Sequence, residues 1–516
     1  MSSTFYGLNI AKTGLYASQT AMELVGHNIS NASTPGYTRQ VLSQSAIEGM
    51  SSNSIIASGV KVRVGGGVSV DYIDQIRNQF LDSQYRTENS GLANWSVKAD
   101  AFYYVENVFK EPSDSGISTV LNEFYSSLSS LSTKPSSEEI RNLVRQNAIS
   151  VSETMQYYAK QLKELQKEQN DAIGTCVSEV NTIVKQIADL NKQIVKYERT
   201  GQQANDLNDK RNLLLDELSG LLDIEYEYND QNEVSVYFGK DKRDDAARDA
   251  YCLLDANNKN ATYEMSVERN KDDYYGTANQ LYTLTFASQN GDIEITGDSL
   301  VGGKIKGYFD LRDGNTNANM GIPYFMQKLD ELTRGIVSAY NEVHKKGYTI
   351  PDGDAGSSKT GVNFFEDFGD ISRVNASNMD ISSEIKDSVW NIAASDTKVD
   401  MSASNTNEGN NKISLELEAI SSSTTLKDLG SINDFLAGIV SELGVRADQC
   451  NDMNKSQDLI VDNVDDLRMS VSGVSIDEEV TNLITFQRAY QASSRVLTSI
   501  DEMLDKLING TGRVGL

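Results

Sequence analysis

Apolar residues recur on one face of residues 8–29, at alternating steps of three and four. Ser18 is the only polar interruption of this series, which comprises Leu8, Ala11, Leu15, Met22, Val25 and Ile29. Such spacing is typical of an amphipathic helix that packs against another helix along a coiled-coil seam. Asn, Ser, Pro and Gly residues then follow between positions 28 and 36, and they predict that the helix ends there in a turn.

The C-terminal segment 477–516 repeats this pattern at the other end of the chain. Ser475 followed by Glu478 predicts a helix start through a capping box, and Asn509-Gly510 predicts the helix end. Ser493 interrupts an apolar series that comprises Leu483, Phe486, Tyr490, Leu497, Ile500, Leu504 and Leu507. Two helices with exposed seams need partners, so we predict that both series form an assembly interface, with each other, with other copies, or with both.

The middle of the chain changes from helical to β-type patterning near residue 223. Helical periodicity dominates 41–222, although valines at alternate positions around Gly65–Gly67 predict a β-hairpin near 60–70. Alternating apolar residues separated by turn residues predict a β-rich insert at 223–309. Helical spacing returns in 310–476, where a Ser-, Asn- and Asp-rich segment at 351–430 predicts loops with short strands.

These patterns together predict a mainly α protein that is elongated and multi-domain, with a β-rich outer subdomain inserted at 223–309. Regions 41–222 and 310–476 would form a long helical bundle. The coiled-coil-like ends, 1–40 and 477–516, would pair as a separate unit. Each end has one apolar seam and little else to bury, so we expect both ends to be disordered in the isolated monomer.

Composition narrows the class of function. The 516 residues include 74 acidic and 47 basic side chains, which gives a formal net charge of −27. A surface this acidic repels phosphate backbones, so nucleic-acid binding is not expected. No segment approaches the roughly 18 consecutive apolar residues of a membrane helix, so membrane insertion is not expected either. Residues 1–10 lack the features of a secretory signal peptide.

Catalytic and metal-binding chemistry finds little support in the sequence. His27 and His344 lie in unrelated segments without metal-ligand spacing, and both are predicted to be helix-surface residues. The three cysteines are too far apart for a CxxC site or a disulfide framework. The segment 353–360 lacks the Gly-Lys step of a phosphate-binding loop. We therefore expect no enzymatic activity, no cofactor and no metal site.

The turn after the first helix carries a distinctive motif. Residues 30–37, Ser-Asn-Ala-Ser-Thr-Pro-Gly-Tyr, resemble the signature of the bacterial flagellar rod, hook and hook-associated proteins. The continuation Gly-Tyr-Thr-Arg-Gln at 36–40 is similar to one branch, the hook-associated protein 1 family, and residues 472–492 resemble that family's closing helix. The residues that carry the family motif are Asn31, Pro35, Gly36, Tyr37, Thr38, Arg39, Gln40, Phe486, Gln487 and Tyr490.

This resemblance implies a structural adaptor rather than a catalyst. Members of the family form a ring of subunits at the hook–filament junction, with the terminal helices in the axial core, and they support filament assembly and motility. For this chain the resemblance implies self-assembly and contacts with the hook protein and the third hook-associated protein. It also implies type III export without a cleaved signal, an extracellular position on the flagellum, and a cytoplasmic export chaperone bound at the C-terminal segment.

Two other interpretations stay open. The chain could be another axial flagellar protein, although the long helical middle argues against the hook protein and the length argues against the third hook-associated protein. It could also be an extracellular binding protein or adhesin carried on the flagellum. In that case the β-rich insert would be the binding part, and this insert contains no histidine and no metal motif.

Overall fold

The computed structural model describes residues 4–48, 65–109, 116–240, 248–351, 358–401, 407–422 and 430–510. Helices dominate these ranges, which confirms the mainly α fold with inserted strands. The helices are, in chain order, α1 (Thr4–Asn31), α2 (Gln79–Phe109), α3 (Ile117–Thr133), α4 (Glu138–Glu198), α5 (Asn205–Leu221), α6 (Gly303–Asp313), α7 (Ile322–His344), α8 (Ser383–Asp387), α9 (Lys412–Ala419), α10 (Ile432–Ser472) and α11 (Ile476–Gly510).

The strands of the described ranges form three small antiparallel sheets. They are β1 (Gln40–Ile47), β2 (Gly67–Gln75), β3 (Ile224–Tyr228), β4 (Val234–Phe238), β5 (Cys252–Asp255), β6 (Ala261–Thr262), β7 (Met265–Lys271), β8 (Leu281–Ser288) and β9 (Gly291–Ile295). Strand β1 pairs with β2, β3 to β6 form a four-stranded sheet in chain order, and β7 to β9 form a three-stranded sheet. Each sheet therefore connects neighbours in the chain.

The first sheet corrects the predicted hairpin near 60–70. Strand β2 pairs with β1, and Gly67 lies opposite Ile47. The N–H of Gly66 donates to the Ile47 carbonyl at 2.7 Å, so the glycines lead into β2 instead of forming a turn. Alternation of apolar residues identifies a strand but not its partner, which explains the error. The remaining valines of the predicted hairpin lie outside the described residues: Val60, Val62 and Val64.

The long helix α4 contributes buried residues to both hydrophobic cores. It contains 61 residues and, at about 1.5 Å per residue, extends roughly 90 Å. Ser137 caps its start by accepting a hydrogen bond from the Ile140 N–H. Its first half contributes buried residues to one core and its second half to the other, so a single helix links both.

The first core surrounds the first half of α4 and includes parts of α2, α3, α7 and α10. Its centre is aromatic: the ring of Phe124 lies 5.2 Å from that of Tyr340 and 5.7 Å from that of Phe364. Phe364 belongs to the segment 351–430, for which loops with short strands were predicted. The described part of that segment instead contains α8, α9 and isolated bridges such as Phe365 with Ile381, and it contributes to this core.

The second core joins the four-stranded and three-stranded sheets with the second half of α4, with α5 and with α6. Phe238 of the four-stranded sheet meets Phe286 of the three-stranded sheet edge to face, with ring centroids 5.0 Å apart. The strands end at Ile295 and α6 begins at Gly303, so the predicted β-rich insert 223–309 extends too far. Helices α4 and α5 pack against these sheets, although both lie in the region 41–222 that was predicted to form the helical bundle.

His344, at the end of α7, corrects a second prediction. It was predicted to lie on a helix surface, as His27 does, yet its side chain is fully buried. Its Nδ1 lies 2.7 Å from the Val362 carbonyl oxygen, and its Nε2 accepts the Ala393 N–H at 2.8 Å. Burial lowers the pKa of His344 to about 4. Because both ring nitrogens have backbone partners, a neutral histidine is stable in this core.

Candidate assembly site at the paired chain ends

Helices α1 and α11 pack against each other in antiparallel orientation, although they lie at opposite ends of the chain. Three contacts define their register. Moving seven residues towards the C-terminus of α1 corresponds to moving seven residues towards the N-terminus of α11. The facing pairs are Gly7 with Ile500, Gly14 with Ser493, and Asn28 with Glu479. The same register places Ala21 opposite Phe486. The two terminal helices therefore form one unit.

The two predicted apolar series meet along this pair, with different degrees of burial. Ala11, Val25 and Leu504 are buried, whereas Leu507 is 56 % exposed. The half-buried members are Leu8, Leu15, Met22, Ile29, Leu483, Phe486, Tyr490, Leu497 and Ile500. Because α1 also packs against β1 and β2, its buried face is wider than the predicted series and adds Ala17, Ser18, Ala21 and Leu24.

Close packing of the pair depends on small residues that the apolar pattern did not identify. A Cβ atom added to Gly14 would lie 3.1 Å from the Ser493 hydroxyl oxygen, so the two helices approach closely at this point. Ser18 is buried and its hydroxyl donates to the Gly14 carbonyl at 2.9 Å. The signal in the sequence was the spacing of Gly7, Gly14 and Ala21 at intervals of seven.

On both sides of its contact with α1, helix α11 leaves apolar side chains in contact with solvent. Of its 35 residues, only Glu479 and Leu504 are buried. Its large apolar side chains that are exposed are Ile476, Val480, Ile484, Val496, Met503, Leu507 and Ile508. An apolar surface of this extent is typical of a contact with another protein chain.

The family-motif turn at the end of α1 forms a buried polar hub, which consists of Asn28, Tyr37, Arg39, Gln40 and Glu479. Asn28 is at its centre: its Oδ1 accepts the Tyr37 hydroxyl at 2.8 Å and the Gln40 N–H at 3.1 Å. Its Nδ2 donates to the Gln40 carbonyl at 2.9 Å and to Glu479 Oε2 at 3.2 Å. The Asn28 amide thus has its full set of partners although it is 1 % exposed.

Arg39 of the polar hub holds the start of α11. Its Nε donates to Glu479 at 2.9 Å and its Nη1 lies 2.7 Å from Glu478. Its backbone N–H donates to the carbonyl of Ser472, the last residue of α10, at 2.9 Å. One motif arginine therefore spans the joint between α10 and α11.

The next motif residues attach the hub to α5. The Thr38 N–H donates to Asp209 at 3.1 Å, and the Gln40 side chain donates to Asp206 at 3.0 Å. Burial raises the pKa of the Tyr37 hydroxyl, and these two carboxylates raise it further, so the hydroxyl keeps its proton and remains a donor. Gly36, with φ of +75°, provides the left-handed turn that brings these residues to α5.

The remaining motif residues lie outside this network. Asn31 closes the turn, since its carbonyl accepts the Thr34 N–H at 2.9 Å. Pro35 and Gln487 are exposed, while Phe486 and Tyr490 lie half-buried along α11. The hub residues Asn28 and Glu479 were not among the predicted site residues, because a polar residue in an apolar series gives no sign of the partner it will meet.

A second charged cluster lies where α2, α5 and α10 meet. Asp216 accepts Arg86 Nε at 2.7 Å and Arg468 Nη1 at 2.7 Å. Arg86 is 2 % exposed and stacks on the ring of Tyr226, 4.4 Å from its centroid. This carboxylate therefore ties the long C-terminal helix α10 to both helices of the body.

Within the described ranges, no group of three His, Cys, Asp or Glu side chains is placed to hold a metal ion. Among the same residues, no helix combines the length and apolar character needed to cross a membrane.

Three family models match successive parts of the chain. The model described as "Flagellar hook-associated protein FlgK helical domain" matches residues 102–365, which is about half of the sequence. "Flagella basal body rod protein" matches residues 8–38, and "Flagellar basal body rod FlgEFG protein C-terminal" matches residues 468–510. The terminal matches coincide with α1 and α11, together with the end of α10.

Two curated proteins and one solved structure are similar to the chain. Flagellar hook-associated protein 1 of Bacillus subtilis (strain 168) is 33 % identical over 525 residues, which cover 99 % of both chains. The protein of the same description from Escherichia coli (strain K12) is 24 % identical over 97 % of this chain and 99 % of its own. The flagellar hook junction protein FlgK from Burkholderia pseudomallei has a similar fold, with a TM-score of 0.58 at 13 % identity, covering 76 % of this chain and 100 % of that chain.

Proposed function

The chain belongs to the flagellar hook-associated protein 1 family, and from this premise we propose that it forms the junction ring between hook and filament. The similarity to the Bacillus subtilis protein over 99 % of both chains carries the proposal. Filament assembly and motility depend on the protein in this role. The comparisons do not favour the hook protein, the third hook-associated protein or an adhesin.

The protein acts as a structural adaptor, which is the kind of role that this family fulfils. Its family relationships associate it with axial components of the flagellum. The specific neighbours we propose are further copies of the chain within the ring, the hook protein on one side and the third hook-associated protein on the other.

We assign the assembly role to the pair of α1 and α11. Two observations support this: the pair leaves apolar side chains such as Val496 and Met503 exposed at 51 % and 62 %, and its two segments match models of rod proteins. In a ring, burial of these side chains between neighbouring copies would stabilise the assembly, since each buried apolar side chain contributes about 1.5–3 kcal/mol.

Homologues of the chain are part of the bacterial flagellum, and we propose an extracellular position at the junction. The chain would reach it through the flagellar type III apparatus without cleavage of a signal peptide. Before export, a small cytoplasmic chaperone would cover the apolar face of the C-terminal segment, which is otherwise prone to aggregate.

A localisation experiment tests the junction role. A strain lacking the chain is complemented with a copy that carries a short epitope at Asn290, in the exposed turn between β8 and β9 and away from the paired ends. We expect the tagged copy to restore motility and to appear as one spot at the base of each filament. Uniform labelling along the filament, or label confined to the cell body, would contradict the proposal.

A further inference from the structure

We infer that Asn28, Arg39 and Glu479 form a register lock, which selects one alignment of α1 against α11 among several that the apolar residues would accept. The inference rests on the proposed assembly role of the paired ends. It assigns to these three residues a positioning role that the apolar contacts of the pair do not supply.

A shift of α11 by seven residues along α1 would leave the apolar contact between the two helices nearly as favourable as before. Small residues recur every seven positions on α1, and α11 presents side chains at the same interval. If α11 slipped by one heptad, Ile500 would move from Gly7 to Gly14, and Ser493 would move from Gly14 to Ala21. Each new pair again combines a small residue with one of the same α11 side chains, so packing alone discriminates weakly between the two registers.

The lock removes this degeneracy. In the slipped register Asn28 would face Phe486, and its buried amide would lose Glu479. Glu479 is 2 % exposed and is paired with Arg39 at 2.9 Å, so moving it away would break a buried charge pair as well. A polar residue at one position of a helical seam sets register in this way, because only one alignment pairs all buried polar groups.

The lock also connects the register to the rest of the molecule. Asn28 exchanges two backbone hydrogen bonds with Gln40, the first residue of β1, and the Arg39 N–H donates to the Ser472 carbonyl at the end of α10. The alignment of α11 is therefore defined relative to β1 and α10. A ring built from such subunits presents the same apolar outer face at every position, which a slipped pair would not.

Disulfide trapping in isolated flagella tests the lock. Gly14→Cys with Ser493→Cys reports the native register, since a Cβ added to Gly14 lies 4.0 Å from Ser493 Cβ, within disulfide range. Ala21→Cys with Ser493→Cys reports the slipped register, because Ala21 lies about 10 Å further along the helix. The native cysteines Cys176, Cys252 and Cys450 are buried, and the parent chain with them alone provides the background.

With the lock intact, oxidation should cross-link the native pair at least tenfold more than the slipped pair within one chain. Replacing Asn28 and Glu479 by leucine should raise the slipped cross-link at least fivefold. If the leucine variant keeps the native preference, the register lock is wrong, while the proposed junction role stands. The junction role is judged separately, since it fails if the epitope-tagged full chain does not appear at the base of the filament.

Two further variants test the lock if the leucine variant does not assemble. Asn28→Asp places a carboxylate against Glu479, and we expect at least a fivefold drop in filaments per cell. Adding Glu479→Gln removes the facing negative charge and should recover part of the filaments, although the Gln40 carbonyl still lacks its donor and Arg39 loses its charge pair with Glu479. An Asn28→Asp strain with as many filaments as the native strain would overturn the lock, because a carboxylate buried against Glu479 would then carry no cost.

Discussion

At the scale of single residues, burial decides the protonation of His344. Its Nδ1–H donates to the Val362 carbonyl, so Nε2 must stay unprotonated to accept the Ala393 N–H. Burial lowers the pKa of His344 to about 4, and the nearby charge of Arg141 acts in the same direction. If the ring were protonated, its Nε2–H would face the Ala393 N–H, and two donors would oppose each other.

This arrangement predicts an acid-sensitive contribution to stability. Below pH 6.5 the unfolded state protonates His344 while the folded state does not until about pH 4, so the free energy of unfolding falls as the pH falls. Between pH 7 and pH 5 the native chain should lose about 2 kcal/mol more than His344→Gln, which stays neutral. Urea denaturation of both proteins at pH 7, 6 and 5 measures the difference. Parallel pH profiles would show that His344 is not the responsible group.

A single substitution at Leu497 tests the assembly role of α11. It is half-buried against α1, and Leu497→Asp should leave the melting temperature of the monomer nearly unchanged while cells lose their filaments. In the ring the lost leucine contacts cost about 2–5 kcal/mol per subunit, and an unpaired carboxylate adds to this.

Asn482→Asp is the matched control for Leu497→Asp. It adds the same charge to α11 without removing an apolar side chain, and motility should be retained. Melting curves, secretion of filament protein and swimming would be compared for both variants. A motile Leu497→Asp strain, or a large fall in its melting temperature, would exclude the assembly role.

At the scale of elements, the pair of α1 and α11 has too little buried surface to be stable alone. Ordering costs about 1–2 kcal/mol per residue, and only two of the 35 residues of α11 are buried to offset it. We therefore expect limited proteolysis of the isolated monomer to remove residues 1–40 and 477–516 and to leave a resistant body. Mass spectrometry of the fragments measures the boundaries. Strong hydrogen-exchange protection of both ends in a verified monomer would be inconsistent with this expectation.

The exposed apolar face of α11 also predicts where the export chaperone binds. Removing all residues after Thr481 deletes most of that face, including Val496, Met503 and Leu507, and should abolish binding. A chain that lacks residues 1–40 is the control and should bind as the full chain does. Co-purification from the cytoplasm measures both. Equal binding of the C-terminally truncated chain would place the chaperone site elsewhere.

At the scale of the whole molecule, Asp216 joins three helices from distant parts of the chain. It pairs Arg86 of α2 with Arg468 of α10, and both arginines lie mostly out of contact with water, at 2 % and 18 % exposed. Asp216→Ala leaves the buried Arg86 without its carboxylate partner, while Arg468 keeps Asp465 at 2.8 Å. We expect the free energy of unfolding to fall by about 3 kcal/mol.

Asp189→Ala is the control for this cluster, since the Asp189 side chain is 70 % exposed on α4 beside Lys192. It should change the free energy of unfolding by less than about 0.5 kcal/mol. Denaturant titration of both variants gives the comparison. Similar losses in the two would mean that the Asp216 cluster does not tie α10 to the body.

The sequence by itself determined the helices at both chain ends, the long helix of the middle and the family motif. Each is a local property: apolar spacing of three and four persists over many turns, and the motif of residues 30–40 is contiguous. The mainly α fold and the family followed from these features.

Only the tertiary structure decided which segments meet. It paired β2 with β1, buried His344, drew Phe364 and its polar segment into the first core, and placed Asn28 opposite Glu479. Periodicity reports which face of an element is apolar, but it does not identify the partner of that face, which can lie as far away as Glu479 lies from Asn28. Buried polar residues are the hardest to predict. In the sequence a polar residue predicts exposure, and only the tertiary structure shows the partner that allows it to be buried.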